Sequence, residues 1–217
     1  MEKELSILKT IEFVKKSLAE AEGGHDWWHI YRVWRMARQI AETEKGDLFV
    51  IELAALLHDI ADSKFHNGDE SIGPQKARAF MESIHIDAAT IAHVVSIIEN
   101  ISFKGGKVNL SFTSPELEIV MDADRLDAQG AIGIARTFNY GGFKGREIHN
   151  PEIQPDMNQS KEQYKHSKAP TINHFYEKLL LLKDRMNTKT GKIIAEQRHD
   201  FMISYLNQFY AEWEALK

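Results

Sequence analysis

A chain of 217 residues with 43% hydrophobic and 27% charged residues has the balance of a globular protein and is long enough to bury a sizeable core. Its formal net charge of −5 argues against a general nucleic-acid-binding surface, which would be basic, but is compatible with a small anionic ligand held by local cations. The chain has no cysteine, which excludes disulfides, thiolate metal sites and cysteine nucleophiles.

The first residues, Met1-Glu-Lys-Glu-Leu-Ser, carry two acids and precede no long apolar run. A signal peptide or a transmembrane span would need such a run. We therefore expect a cytoplasmic protein with neither a membrane nor a nucleic-acid polymer as its partner. The composition leaves a homodimer open.

Apolar residues recur at helical spacing along most of the chain, beginning with Leu5, Leu8 and Ile11. Asp47 is a natural cap for one of these helices, and Ser114-Pro115 is a typical start for another. No useful length of strand-like alternation is present, so we predict an all-α fold with a single domain over residues 1–217. The expected helices are 5–21, 25–45, 48–58, 74–81, 87–100, 115–138, 171–186 and 190–216.

The stretch 139–170 is the least regular part of the chain. It holds three of the five prolines, together with Gly141, Gly142 and Gly145. Its length exceeds that of a usual connection, which predicts a functional lid or a partly mobile segment.

The predicted helix 48–58 ends in a polar pair, because Ala54-Ala-Leu-Leu runs directly into His58 and Asp59. Buried imidazole and carboxylate groups need partners, and one shared cation would satisfy both. A His-Asp pair alone is a weak signal, since a helix that leaves the core often meets a polar loop. Two further stretches strengthen it: Gly24-His-Asp-Trp-Trp-His-Ile-Tyr-Arg-Val33 upstream and Asp122-Ala-Asp-Arg-Leu-Asp-Ala128 downstream.

In this order and spacing, residues 20–140 resemble the HD-domain metal-dependent phosphohydrolases. The sequence Asp122–Ala128 and the later Met186-Asn-Thr-x-x-Gly-Lys are most similar to those of the small YedJ/YpgQ-like branch of nucleotide hydrolases. The resemblance implies a helical bundle in which one divalent metal ion is bound by His29, His58, Asp59 and Asp124. His25, one turn before His29, is the rival ligand.

Two imidazole nitrogens and two carboxylates form a mixed ligand set that suits a divalent ion and leaves positions open for water and phosphate oxygens. We expect Mn in preference to Mg, Co, Fe or Ni. Asp127 lies on nearly the same helix face as Asp124 and could orient a ligand.

The resemblance also suggests roles around the metal. Asp62, one turn beyond Asp59, is the candidate general base for the attacking water, although a helix-end cap is an equal alternative. Asp59 is also predicted to be a catalytic residue, because it is expected to bind the metal ion. Each of the basic residues has an alternative as a surface or salt-bridge residue. The candidate substrate-binding residues are Lys64, Arg125, Arg32 and Arg136 for phosphate, and Asp122 for a ribose hydroxyl.

The function predicted from this resemblance is metal-dependent hydrolysis of nucleotides, with pyrophosphate released from (deoxy)nucleoside triphosphates. A 5′-nucleotidase or phosphatase of the same fold is the first alternative. A di-metal oxygenase on a related scaffold is the second, and it would require His93 or His66 as further ligands. A nucleotide sensor without activity ranks last, because the ligand set is intact.

Overall fold

The computed structural model describes residues 2–19, 26–61, 69, 71–101, 112–159, 163 and 167–217. All regular structure within these ranges is helical, which confirms the all-α prediction. Contacts between Cα atoms group the chain into two compact units, Met1–Asp124 and Arg125–Lys217. The single-domain expectation stays a prediction. No helix in the described ranges is both long enough and apolar enough to span a membrane.

The first unit is built around one buried helix. Eight of the ten residues of α3 are buried, and α3 packs against α1, α2 and α5. A helix that is apolar on all sides belongs in the centre of a core. The helices that begin in this unit are α1 (Glu2–Ser17), α2 (Trp27–Ala41), α3 (Leu48–Leu57), α4 (Ile72–Ser83), α5 (Ala88–Ile101) and α6 (Pro115–Asp127).

Short polar side chains set where the helices begin. Asp26 accepts a hydrogen bond from the His29 N–H, and Asp47 accepts one from the Phe49 N–H. Ser114 Oγ accepts the Leu117 N–H, as the predicted start of α6 requires. Each cap satisfies a backbone donor that the first helical turn leaves without a partner.

The second unit contains α7 (Gly130–Phe143), α8 (Asn173–Glu177), two 3₁₀ turns (Leu179–Leu181 and Lys183–Arg185) and α9 (Lys189–Trp213). Helix α7 packs on α9. Rings of Phe138, Phe175 and Tyr205 contact one another within 6.2 Å between centroids.

The structure corrects the predicted helix over 115–138, which is two helices. Gly130 adopts a φ of +66°, a left-handed conformation that favours glycine and turns the chain between α6 and α7. A Cβ on Gly133 would come within 2.3 Å of the Ala128 carbonyl oxygen. The two glycines therefore make the corner.

The predicted helix over 171–186 is also wrong. It is α8 followed by the two 3₁₀ turns. Leu179, Leu182 and Met186 are all buried, and their spacing suits a helix equally well. A 3₁₀ turn repeats every three residues, so an apolar pattern this short does not separate the two structures.

The first residues of the stretch 139–170 belong to α7, and residues 144–159 and 167–170 are irregular. Backbone N–H groups of Thr171 and Ile172 donate to the carbonyls of Glu147 and Ile148 at 2.8 and 3.0 Å. Asn173 donates to the Ile153 carbonyl at 2.9 Å. Hydrogen bonds within the second unit thus hold this segment against the start of α8.

Candidate metal centre

His29 reaches the interior from the first turn of α2. The Asp26 carboxylate caps that turn at 3.0 Å from the His29 N–H. The residue is only 2% exposed, so its imidazole is almost completely shielded from solvent. A buried imidazole nitrogen requires a partner.

His58 lies at the C-terminal end of α3, and its side chain is buried because this helix is central to the core. Its Nδ1 lies 2.9 Å from the Ala55 carbonyl oxygen, and its side chain is 5% exposed. A carbonyl only accepts hydrogen bonds, so this contact favours the neutral tautomer that has its proton on Nδ1 and its lone pair on Nε2. This is the arrangement that orients a metal-binding histidine, and it was not predicted from the sequence.

The two imidazoles meet a carboxylate from α6. The ring centroids of His29 and His58 are 5.4 Å apart. Asp124 Oδ1 lies 3.5 Å from Nε2 of His29 and 3.8 Å from Nε2 of His58. His29, His58 and Asp59 each offer one ligand atom within 4.8 Å of the others. His29, His58 and Asp59 thus come together in the first unit, and Asp124 lies beside the two imidazoles.

These separations fit a shared cation better than direct hydrogen bonds. A hydrogen bond from nitrogen to oxygen usually spans about 2.7–3.2 Å, whereas the carboxylate stands at 3.5 and 3.8 Å. Around a divalent ion with bonds of about 2.1 Å, neighbouring ligand atoms are about 3.0 Å apart and opposite ones about 4.2 Å. The observed distances lie between these limits, so the residues fit a divalent metal ion.

The Asp124 side chain is 38% exposed. The carboxylate thus lies at the mouth of the site, while both imidazoles lie deep within it. An open side is what a catalytic metal site requires, because substrate must enter.

The remaining predicted residues have different surroundings. Arg32 is half-buried on α2, one turn after His29, and Asp122 is completely buried on α6. In the second unit, Arg125 donates to the Arg185 carbonyl, and Arg136 forms a salt bridge with Asp127 at 2.6 Å. Four of the predicted residues lie outside the described part of the chain: His25, Asp62, Lys64 and His66.

His93, a candidate ligand for a second metal, contacts other side chains. Its Nε2 lies 3.1 Å from Ser114 Oγ and 3.4 Å from Glu116 Oε2. Within the described ranges, no third His, Asp or Glu lies close enough to His93 and Glu116 to complete a metal site.

The Met186–Lys192 stretch has a structural role in the second unit. Thr188 caps α9, and its hydroxyl oxygen accepts the Gly191 N–H at 2.9 Å. The Gly and Lys residues of that stretch form the first turn of the helix.

Comparison with known proteins agrees with this geometry. The HD-domain family model matches residues 27–129, a range that spans all four predicted ligands. The YpgQ protein of Bacillus subtilis is 37% identical over 204 residues, which cover 90% of this chain and 88% of YpgQ.

Solved structures give the same result at full length. The crystal structure of an HD-superfamily hydrolase from Bacillus thuringiensis is 46% identical, with a TM-score of 0.79 over 98% of this chain and 99% of that one. The crystal structure of Bacillus subtilis YpgQ in complex with ADP has a TM-score of 0.77, at 34% identity over 98% and 97% of the two chains. The chain belongs to the HD-domain superfamily, and it is a hydrolase of the metal-dependent phosphohydrolase kind.

Proposed function

We propose that the chain hydrolyses (deoxy)nucleoside triphosphates and releases pyrophosphate. The observation that carries this proposal is the convergence of His29, His58 and Asp124 at separations that suit one divalent ion, with the Asp124 carboxylate open to solvent. The complex of the related YpgQ with ADP supports a nucleotide as the ligand.

The proposed metal ligands are His29, His58, Asp59 and Asp124, and Mn is the favoured ion. When bound there, a divalent ion polarises a phosphoryl oxygen and makes water a better nucleophile near neutral pH. The chain's own contribution is to fix the ligands. The Ala55 carbonyl favours the proton on Nδ1 of His58, and the buried helix α3 places that residue in the core.

Asp62 is the proposed general base, because it follows the proposed ligand Asp59 by three residues in the sequence. An Asp62→Asn variant should lower turnover by about a hundredfold or more, within the usual contribution of a general base. Its metal content should match that of the unaltered protein. Loss of metal from this variant would instead make Asp62 a ligand or a support for one.

The proposed substrate-binding residues are Lys64, Arg32, Arg125, Arg136 and Asp122. Cationic side chains that neutralise the negative charge on the phosphate oxygens stabilise the transition state for attack on phosphorus. Asp122 is completely buried, so a contact with ribose requires its neighbours to move. Arg136 would have to release Asp127 to reach phosphate. Kinetics of the five single alanine variants would rank these contributions.

Hydrolysis in oxygen-18 water identifies the bond that is cut. Attack on the α-phosphorus places the label in the nucleoside monophosphate and releases unlabelled pyrophosphate. Labelled orthophosphate with no pyrophosphate would refute the proposal and favour the phosphatase alternative. A parallel metal analysis should give one ion per chain, because His93 is already bonded to Ser114. The cytoplasmic location and the homodimer remain predictions.

A further inference from the structure

A group of polar side chains joins the starts of two helices in the first unit. Glu116 Oε1 accepts the Asp47 N–H at 2.9 Å, and Glu116 Oε2 lies 3.4 Å from His93 Nε2. His93 Nε2 also lies 3.1 Å from Ser114 Oγ. We call these four residues, Asp47, His93, Ser114 and Glu116, the clasp.

The clasp lies where α3 and α6 begin. The metal ligands stand toward the other ends of the same helices. His58 comes ten residues after Leu48, and Asp124 comes eight residues after Glu116. At 1.5 Å of rise per residue, His58 is about 15 Å from Leu48 along the helix axis, and Asp124 is about 12 Å from Glu116. A shift between the two helix starts would therefore carry through to His58, Asp59 and Asp124.

Glu116 is held firmly in this position. The residue is 8% exposed, and a Cβ on Gly46 would come within 3.4 Å of Glu116 Oε1 and 3.1 Å of Ile51 Cδ1. The loop before α3 thus packs directly on the carboxylate. Burial alone would raise the pKa of Glu116, but hydrogen bonds led by the Asp47 N–H, together with His93, hold it below its ordinary value.

The clasp geometry does not suit catalysis of its own. In a serine hydrolase the acid and the serine contact opposite nitrogens of the histidine. Here Ser114 and Glu116 both face Nε2 of His93, and Ser114 Oγ already accepts the Leu117 N–H. His93 is also poorly placed to bind a second metal ion, because its Nε2 already contacts Ser114 and Glu116.

We propose that Glu116 is a positioning residue for the metal centre, because it fixes the start of α3 to the start of α6 and so sets where His58, Asp59 and Asp124 meet. The inference rests on the proposed metal ligands. It assigns Glu116 no contact with the metal or with the substrate.

The test measures Co²⁺ binding by calorimetry and the visible spectrum of the Co²⁺ protein, neither of which depends on turnover. Glu116→Leu removes both halves of the clasp, whereas Glu116→Gln keeps an oxygen that can accept the Asp47 N–H. We expect Glu116→Leu to weaken Co²⁺ binding about tenfold or more and to shift the spectrum, as loss of a support outside the ligand shell does. Glu116→Gln should restore most of the affinity.

Thr10→Val is the matched control, since Thr10 is a buried polar residue whose bond stays within α1. It should lower thermal stability without changing the Co²⁺ affinity or spectrum. If Glu116→Leu behaves like this control, the proposal is wrong and the clasp only stabilises the fold. If Glu116→Leu does not fold, Glu116→Asp, which is one methylene too short to reach Asp47, provides the same comparison.

His58→Ala separates the two levels of the proposal. It should abolish Co²⁺ binding. Full binding by His58→Ala would refute the proposed ligand set itself. Loss of binding by His58→Ala, with unchanged binding by every Glu116 variant, would refute the positioning role alone.

Discussion

Acid should destabilise this protein in part through His174, a histidine of the second unit. Burial, together with the positive charges of Lys178 and Arg146, lowers the pKa of His174 from 6.5 to about 3. The native state therefore keeps His174 neutral, whereas the unfolded chain protonates it near its ordinary pKa.

The magnitude follows from proton linkage. Below pH 6.5 the unfolded state binds more protons, so stability falls by up to about 1.4 kcal/mol per pH unit until the native state also binds a proton near pH 3. Between pH 8 and pH 5 this amounts to about 2 kcal/mol. His174 retains some exposed surface, and solvent screening makes this figure an upper limit.

Urea unfolding at pH 8 and pH 5, with a chelator present, would measure the effect. The chain has ten histidines, so the informative quantity is the difference between the unaltered protein and His174→Gln. The unaltered protein should lose about 1–2 kcal/mol more than the variant. Equal losses in the two proteins, or a native His174 that titrates near pH 6.5 in NMR spectra, would refute the reasoning.

Three substitutions test other parts of the structure. The unaltered protein should gain about 4 kcal/mol of stability at a metal concentration a thousandfold above its Kd, and thermal unfolding of His58→Ala should show no such gain. Gln129 is 1% exposed, and neither of its amide atoms has a partner within the described ranges, so urea should show Gln129→Leu to be more stable by about 1 kcal/mol. Gly133→Ala should cost about 1–3 kcal/mol in the same assay, since its Cβ would clash with the Ala128 carbonyl. A more stable Gly133→Ala or a less stable Gln129→Leu would contradict these assignments.

Local sequence signals predicted the elements that depend on local contacts. The apolar run of α3, its Asp47 cap and the Ser114-Pro115 start of α6 all stand where the sequence placed them. The convergence of His29, His58, Asp59 and Asp124 was also expected, although from the family resemblance. Helix periodicity and residue spacing alone do not predict how closely α2, α3 and α6 pack together.

Two of the features that escaped prediction depend on contacts between separate elements, and a third depends on the local backbone conformation. Arg136 is bonded to Asp127, and Glu116 to Asp47, because separate elements pack together. The corner at Gly130 and Gly133 was missed because a glycine inside an apolar pattern is compatible with a continuous helix. Only the backbone conformation shows that both positions require glycine.

The buried position of α3 links the stability of the fold to its chemistry. A helix with eight of ten residues buried can end at the core only if its last polar side chains find partners there. The Ala55 carbonyl satisfies one nitrogen of His58, and the other lies 3.8 Å from Asp124 Oδ1, which is too long for a strong hydrogen bond. A cation at this point would satisfy the lone pairs of both imidazoles and the charge of the carboxylate together. Metal binding should therefore stabilise the first unit as well as provide its activity.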